Sequence, residues 1–297
     1  MQGFGISTLL YNYNASPHAP TFFENFRTAE LVSEMPLETF YGLSSPFHVF
    51  PDTNIRDVLD DELSFLRENF LKRENHKTRD GRPVVTFWAA DYPAAGGWPR
   101  VKAEWGGFEA FMDYLRAKLS VDGVEPYVVG EFRDHAVGGY PRRFARWNRL
   151  FDAAMTWVGS PDPGTTSWQN HRKYVERNYQ ETRQFALQND MEFIPTVFPG
   201  FDDRQSWMEC RPRGRYVPRN PSHLADLLRL ADEYRVGDRI YLASFNDWTE
   251  AHMIEPGRYH GRDYGTAYLE VIRGFLRNKQ LEEYLDCSRG QQACIER

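Results

Sequence analysis

The sequence lacks an apolar run of about 18 residues, a basic leader followed by a cleavage site, and a paired set of cysteines. The first two absences leave a membrane span and a signal peptide unsupported. The three cysteines, Cys210, Cys287 and Cys294, are odd in number and include no CxxC pair, so neither a disulfide framework nor a zinc ribbon is indicated. A reducing, cytoplasmic compartment is the expectation. Positive charge is short as well: 36 Lys and Arg stand against 42 Asp and Glu, a formal charge of -6. That balance leaves no electrostatic footprint for a phosphate backbone, and nucleic acid is not an expected partner. No glycine-rich phosphate loop follows any of the strands read below.

Aromatic residues, in contrast, make up 15% of the chain. Flat apolar faces suit sugars, whose axial C–H groups stack on rings while their hydroxyls need polar edges. A length of 297 residues fits one barrel domain of about 250 residues with additions. The expected division is a barrel over 1–277 and a polar C-terminal tail over 278–297.

Short β-branched or aromatic runs alternate with helical periodicity, the mark of βα units around a parallel sheet. Strands are read at Ile6 to Asn12, Leu37 to Gly42, Arg82 to Ala89, Pro126 to Phe132, Ala153 to Gly159, Phe193 to Pro199 and Arg239 to Asn246. Helices are read near Phe22 to Ser33 and at Ile55 to Leu71, with Asn54 as its cap. Others follow at Phe108 to Leu119, Arg172 to Asn189, Ser222 to Arg235 and Thr266 to Leu276. The fold class is therefore α/β, a (β/α)8 TIM-type barrel. About seven strands result where such a barrel has eight. The first strand begins almost at Met1, so the first βα unit is expected to be missing or modified, unless the apparent loop Tyr92 to Trp105 supplies pairing.

Barrel enzymes carry their chemistry at the C-terminal ends of the strands. Those ends hold Tyr11 and Tyr13; Trp88 and Asp91; Glu131; Trp157; Phe198 and Asp202; and finally the segment Ser244 to Pro256, SFNDWTEAHMIEP. Asp247, Glu250 and Glu255 crowd with Trp248 into that last segment. Neighbouring carboxylates push one pKa upward, creating the proton donor and acceptor that glycosidic cleavage requires. A strict strand would send Asp247 and Glu250 to opposite faces, whereas a turn brings residues three apart onto one side. The strand is thus expected to end by about Asn246. His252 is expected to touch a substrate hydroxyl; no second histidine sits at ligand spacing, so no metal role is expected for it.

The segment resembles glycoside hydrolase family 99, the endo-α-mannosidases, and their WbsX-type relatives. There a strand ending in Phe or Trp runs into Asn-Glu-Trp-x-Glu-Gly and, a few residues on, Glu-Pro. The matching residues are Phe245, Asn246, Asp247, Trp248, Glu250, Glu255 and Pro256, followed by Tyr264, Gly265, Ala267, Tyr268 and Leu269. FLRENFLK, DGRPVV and VFPGFDDR upstream are weaker matches. The resemblance implies an oligosaccharide or polysaccharide substrate with α-linked mannose or a related sugar, and no cofactor. It implies that Asp247 takes the proton from the substrate 2-hydroxyl, which attacks the anomeric carbon, while Glu250 protonates the departing oxygen. Two departures stand out: Asp247 where the family has Glu, and Ala251 where it has Gly. The Asn-Asp pair is also similar to family 71 α-1,3-glucanases, which leaves an inverting glucanase open, with Glu131 or Asp202 as partner acid. A catalytically weak carbohydrate-binding accessory protein of polysaccharide biosynthesis is the third reading. In each, Tyr11, Tyr13, Trp88, Asp91, Glu131, Trp157, Phe198, Asp202, Asn246, Trp248, His252 and Glu255 are the candidate sugar contacts.

Overall fold

The computed structural model describes residues 4, 6–13, 30–31, 38–44, 55–88, 98–133, 149–157, 167–204, 216–248 and 250–277. Asn54, Asp91 and the 278–297 tail lie outside the described residues, as does most of the helix expected at Phe22 to Ser33. The chain forms two compact units, Ser7–Ala154 and Met155–Arg297 with Met1–Ile6.

In the first unit, β1 (Thr8–Tyr13), β2 (Glu38–Ser44), β4 (Arg82–Trp88) and β5 (Tyr127–Arg133) pair in parallel, in that order. Helix α1 (Ile55–Leu66) intervenes between β2 and β4, and α2 (Trp98–Trp105) and α3 (Phe108–Leu119) between β4 and β5. This is the strand–helix–strand crossover that parallel pairing demands. β4 reads as one apolar run because it is covered on both faces: Val84, Val85, Thr86 and Phe87 are all buried. Before it, the two residues of β3 (Thr78–Arg79) fold back antiparallel onto β4. Asp80 and Gly81, both at positive φ (53° and 77°), make that two-residue turn, for which Asp-Gly is suited. α3 buries Phe108, Phe111, Met112, Leu115 and Leu119, an i, i+3, i+4, i+7 stripe.

Asp152 fastens this unit. It accepts from Arg82 at 2.7 Å, from Arg116 at 2.9 Å and from the Val128 amide at 2.8 Å, tying β4, α3 and β5 to one carboxylate.

β6 (Ala153–Trp157) carries the chain into the second unit. There α4 (Trp168–Gln188) starts at Ser167, whose hydroxyl accepts from the Asn170 amide, and leads to β7 (Glu192–Ile194) and β8 (Thr196–Val197). β9 (Phe201–Asp202) pairs antiparallel with β10 (Tyr216–Val217). α5 (Pro221–Tyr234) follows, with Asn220 as cap and Pro221 in the first turn, where its missing N–H costs nothing. β11 (Tyr241–Leu242) pairs in parallel with β8. A hairpin of β12 (Arg258–Tyr259) and β13 (Arg262–Asp263) then precedes α6 (Ala267–Leu276).

Each strand expected from the sequence is present, with three corrections. The run expected at Phe193 to Pro199 is divided at Pro195, which has no N–H to give to a ladder. The strand expected at Arg239 to Asn246 pairs only at Tyr241–Leu242, because a tight loop claims the backbone groups beyond it. The apparent loop Tyr92 to Trp105 is helical from Trp98.

Candidate active site at the end of the last parallel strand

Beyond β11 the chain closes on itself. The Ala243 amide still donates to Val197, but the Ser244 amide donates to the His252 carbonyl at 2.9 Å, and Ile254 and Glu255 donate back to Ser244 and Phe245. Inside this closed loop the Asp247 amide donates to the Ser244 hydroxyl at 2.9 Å, and the Glu250 amide to Asp247 Oδ1 at 3.0 Å. These short-range bonds form the turn that puts Asp247 and Glu250 on the same side. The Asp202 amide then donates to the Glu250 carbonyl at 2.8 Å, pinning the loop to β9.

Both carboxylates converge on one atom. His252 Nε2 lies 3.2 Å from Asp247 Oδ2 and 3.3 Å from Glu250 Oε2. The imidazole is 1% exposed, while the Asp247 and Glu250 side chains keep 33% and 19% of their surface. A wall of rings surrounds it. Trp157 and Phe198 meet it edge-on, each at 5.4 Å, and Phe201 lies parallel at 5.8 Å. Burial alone would disfavour the imidazolium, yet the two carboxylates outweigh it and raise the His252 pKa above its ordinary value.

One ligand atom from each of the three residues lies within 4.8 Å of the others, a spacing that suits a cation. Metal-bound histidines, however, donate their second ring N–H to an acceptor that fixes the ring. Among the described residues His252 Nδ1 has no hydrogen-bond partner of that kind.

The loop is held from behind by a residue that the sequence did not single out. Arg219, buried just before α5, donates to the Ala251 carbonyl at 2.6 Å and to the Met253 carbonyl at 2.8 Å, the carbonyls of the two residues on either side of His252. Its guanidinium lies among the rings of Tyr259, Tyr264 and Tyr268, at 5.5, 5.1 and 4.8 Å. No local pattern marks this arginine, since its partners lie more than thirty positions away. The close approach of Gly200 is the nearest thing to a clue: a Cβ there would stand 2.8 Å from Arg219 Cα.

No protein-family model matches the sequence, and no curated protein matches it. Solved structures do match in three dimensions. A protein described as glycoside hydrolase-like superposes with a TM-score of 0.68 at 16% identity, covering 92% of this chain and 82% of its own. The family 99 endo-alpha-mannosidase from Bacteroides thetaiotaomicron gives 0.58 at 15% identity, covering 94% and 76%. Its complex with bis-tris-propane gives 0.56 at 15%, covering 96% and 81%. The chain shares the fold of these structures, an α/β TIM-type barrel.

On this barrel fold the other expected residues take the following places. Trp157, half-buried, closes β6 and packs edge-on against Phe198 at 5.0 Å. Phe198 itself is buried, so it backs the histidine rather than facing outward. Asp202 is also buried, and both its oxygens are taken by Arg204 at 2.8 Å, with the Tyr259 hydroxyl at 3.3 Å. Burial works to raise its pKa, but the guanidinium prevails and holds the carboxyl below its ordinary range. Asn246 is exposed at the loop tip. Trp248 is 41% exposed and donates Nε1–H to Glu255 Oε2 at 2.9 Å, with its outer ring edge over Gly257.

In the first unit, Trp88 and Glu131 are register partners at the C-terminal ends of β4 and β5. Glu131 is buried, which pushes its pKa up to about 8. Tyr11 and Tyr13 lie on β1, opposite Tyr41 and Leu43 of β2. The side chains of Tyr11, Tyr13 and Trp88 fall outside the described residues.

Proposed function

We propose that the protein hydrolyses glycosidic bonds of α-linked mannose or a related sugar in a polysaccharide, with Glu250 as general acid and Asp247 as general base. The observation that carries this reading is the convergence of the two carboxylates on His252 Nε2, at 3.2 and 3.3 Å, beside the half-buried ring of Trp157. Their spacing bears on stereochemistry. Inverting glycosidases hold their acids about 6.5–9.5 Å apart to admit a water, while retaining enzymes bring them to about 5–5.5 Å. Oxygens of Asp247 and Glu250 lie within 4.8 Å, closer than an inverting pair that admits a water between its acids. Asp202, considered above as an inverting partner, has its carboxylate occupied by Arg204.

In the proposed reaction Asp247 accepts the proton of the substrate 2-hydroxyl as O2 bonds to the anomeric carbon. The glycosidic C–O bond breaks, and the departing oxygen takes the proton of Glu250. Water then opens the anhydro sugar, giving its proton to Glu250, while O2 recovers its own from Asp247. Asp247 is shorter than the family's Glu by one methylene, yet it reaches the shared nitrogen as closely as Glu250 does. Trp248, held by Glu255 and facing solvent, is the proposed sugar platform.

The test is release of reducing ends from a panel of mannans, glucans and bacterial polysaccharides by wild type and by Glu250→Gln. Release by wild type alone is expected; equal release by both removes Glu250 from the mechanism. One observation favours a second reading, a carbohydrate-binding accessory protein: both Asp247 oxygens are already engaged, one by the Glu250 amide and one by His252. Asp247→Glu should raise hydrolysis in an impaired hydrolase and change nothing in a binding protein.

A further inference from the structure

We infer that His252 stores the working proton of this site, passing it through Nε2 to Glu250 as the departing oxygen arrives. The inference rests on the hydrolase reading above and adds a third participant to it. An ordinary glutamic acid with a pKa near 4.3 is almost wholly ionised at pH 7, so a general acid working there needs either a strongly raised pKa or a neighbour that supplies the proton. His252 is placed to be that neighbour. Its Nε2 is the one imidazole atom in contact with both acids. Ionised carboxylates only accept, so the nitrogen between them must carry the hydrogen.

The groups packed on the imidazole leave the two acids in control of it. Trp157 from β6, Phe198 from the end of β8 and Phe201 from β9 present uncharged rings. On β9 the Asp202 carboxylate is neutralised by Arg204, and the next residue, Asp203, is buried. Arg219 binds the carbonyls on either side of His252 from its place before α5, and the tyrosines of the β12–β13 hairpin and α6 surround that guanidinium. Asp247 and Glu250 are the carboxylates in contact with the ring among the described residues, and they favour its protonated form.

The proton count closes. The proposed cycle starts with the working proton on His252 Nε2, between the two carboxylates. Nε2–H passes to Glu250, and Glu250 passes it to the glycosidic oxygen, which leaves with the bonding pair. Asp247 meanwhile takes the O2 proton as O2 bonds to C1. In the second half a water oxygen bonds to C1 and loses a proton to Glu250, which returns it to Nε2. The C1–O2 bond opens and O2 is reprotonated by Asp247. One water is consumed and all three residues end as they began.

The test is an NMR titration of the histidine ring signals in the full chain, with His252 assigned through its contacts to the Trp157 and Phe201 rings. His252 is expected to titrate above the ordinary imidazole value of about 6.5. It is expected to fall in both Asp247→Asn and Glu250→Gln. Titration at or below the ordinary value in the wild type overturns the inference, whether or not hydrolysis is found. The kinetic arm compares His252→Asn and His252→Gln with wild type: their alkaline limb of kcat/KM should move to lower pH, with a loss about tenfold larger at pH 8 than at pH 5. An equal loss at every pH assigns His252 a packing role and also overturns the inference. Inactivity of the wild type on every substrate would instead remove the hydrolase reading, leaving the titration to report the proton's location.

Discussion

A methyl group on Gly257 would stand 2.6 Å from Cη2 of Trp248. The atom in the way is the far end of the indole, so Gly257→Ala should displace Trp248 rather than the backbone. Ring contacts are worth about 0.5–1.5 kcal/mol, and a lost sugar platform should raise KM by about 2- to 10-fold with kcat little changed. Gly257→Ala and Trp248→Ala should therefore show the same KM effect in steady-state kinetics.

Arg219 should be a stability residue as much as a site residue. Arg219→Met keeps much of the stem but leaves the buried carbonyls of Ala251 and Met253 without their donor, at about 1–3 kcal/mol for each unsatisfied group. Arg219→Lys should recover only part of that, because a point ammonium does not replace a planar fork spanning two acceptors. Urea denaturation of the three proteins measures the order wild type, Lys, Met.

Ala251 sits at φ 55° and is buried. The left-handed conformation costs an alanine about 1–2 kcal/mol. Glycine would relieve this, but it forfeits a buried methyl worth about 0.8 kcal/mol and adds chain entropy of about 0.4–1 kcal/mol to the unfolded state. Ala251→Gly should thus stay within about 1 kcal/mol of wild type, while Ala251→Val, β-branched and overpacked, should lose more than about 2 kcal/mol. Thermal unfolding of both variants checks this.

Glu62 and Glu131 are buried, and burial raises each pKa to about 8. The folded pKa lies above the unfolded one, so the favourable state, a neutral buried acid, is fully present below about pH 4.3. It is lost as pH rises toward 8, where the native state holds protons that the unfolded chain has released. Glu62→Gln and Glu131→Gln should each gain stability relative to wild type between pH 5 and 8, by at most about 1.4 kcal/mol per pH unit. Chemical denaturation at several pH values gives the slope.

Much of this architecture is written locally. The apolar run at β4, the heptad-like stripe of α3 and the caps Ser167 and Asn220 depend on residues close in sequence, and they fold where the pattern places them. The ends of strands are less legible, because pairing is decided by distant partners: Pro195 divides one strand and the 244–255 loop shortens another. The same contrast runs through the site. Asp247 and Glu250 are joined by a three-residue turn whose spacing the sequence displays. The burial of His252 and the grip of Arg219 arise from β6, β9 and α6, so the motif alone reads the histidine as a contact for substrate.

In the proposed reaction Glu250 gives a proton to the departing oxygen and Asp247 takes one from the sugar. Aryl glycosides with acidic phenol leaving groups separate the two roles, since a good leaving group departs without a proton. On polysaccharide both Glu250→Gln and Asp247→Asn should lose about 10²–10⁴-fold in kcat/KM. On the activated aryl glycoside Glu250→Gln should recover most of its rate while Asp247→Asn stays inactive. Equal losses for the two variants on both substrates would contradict the assignment.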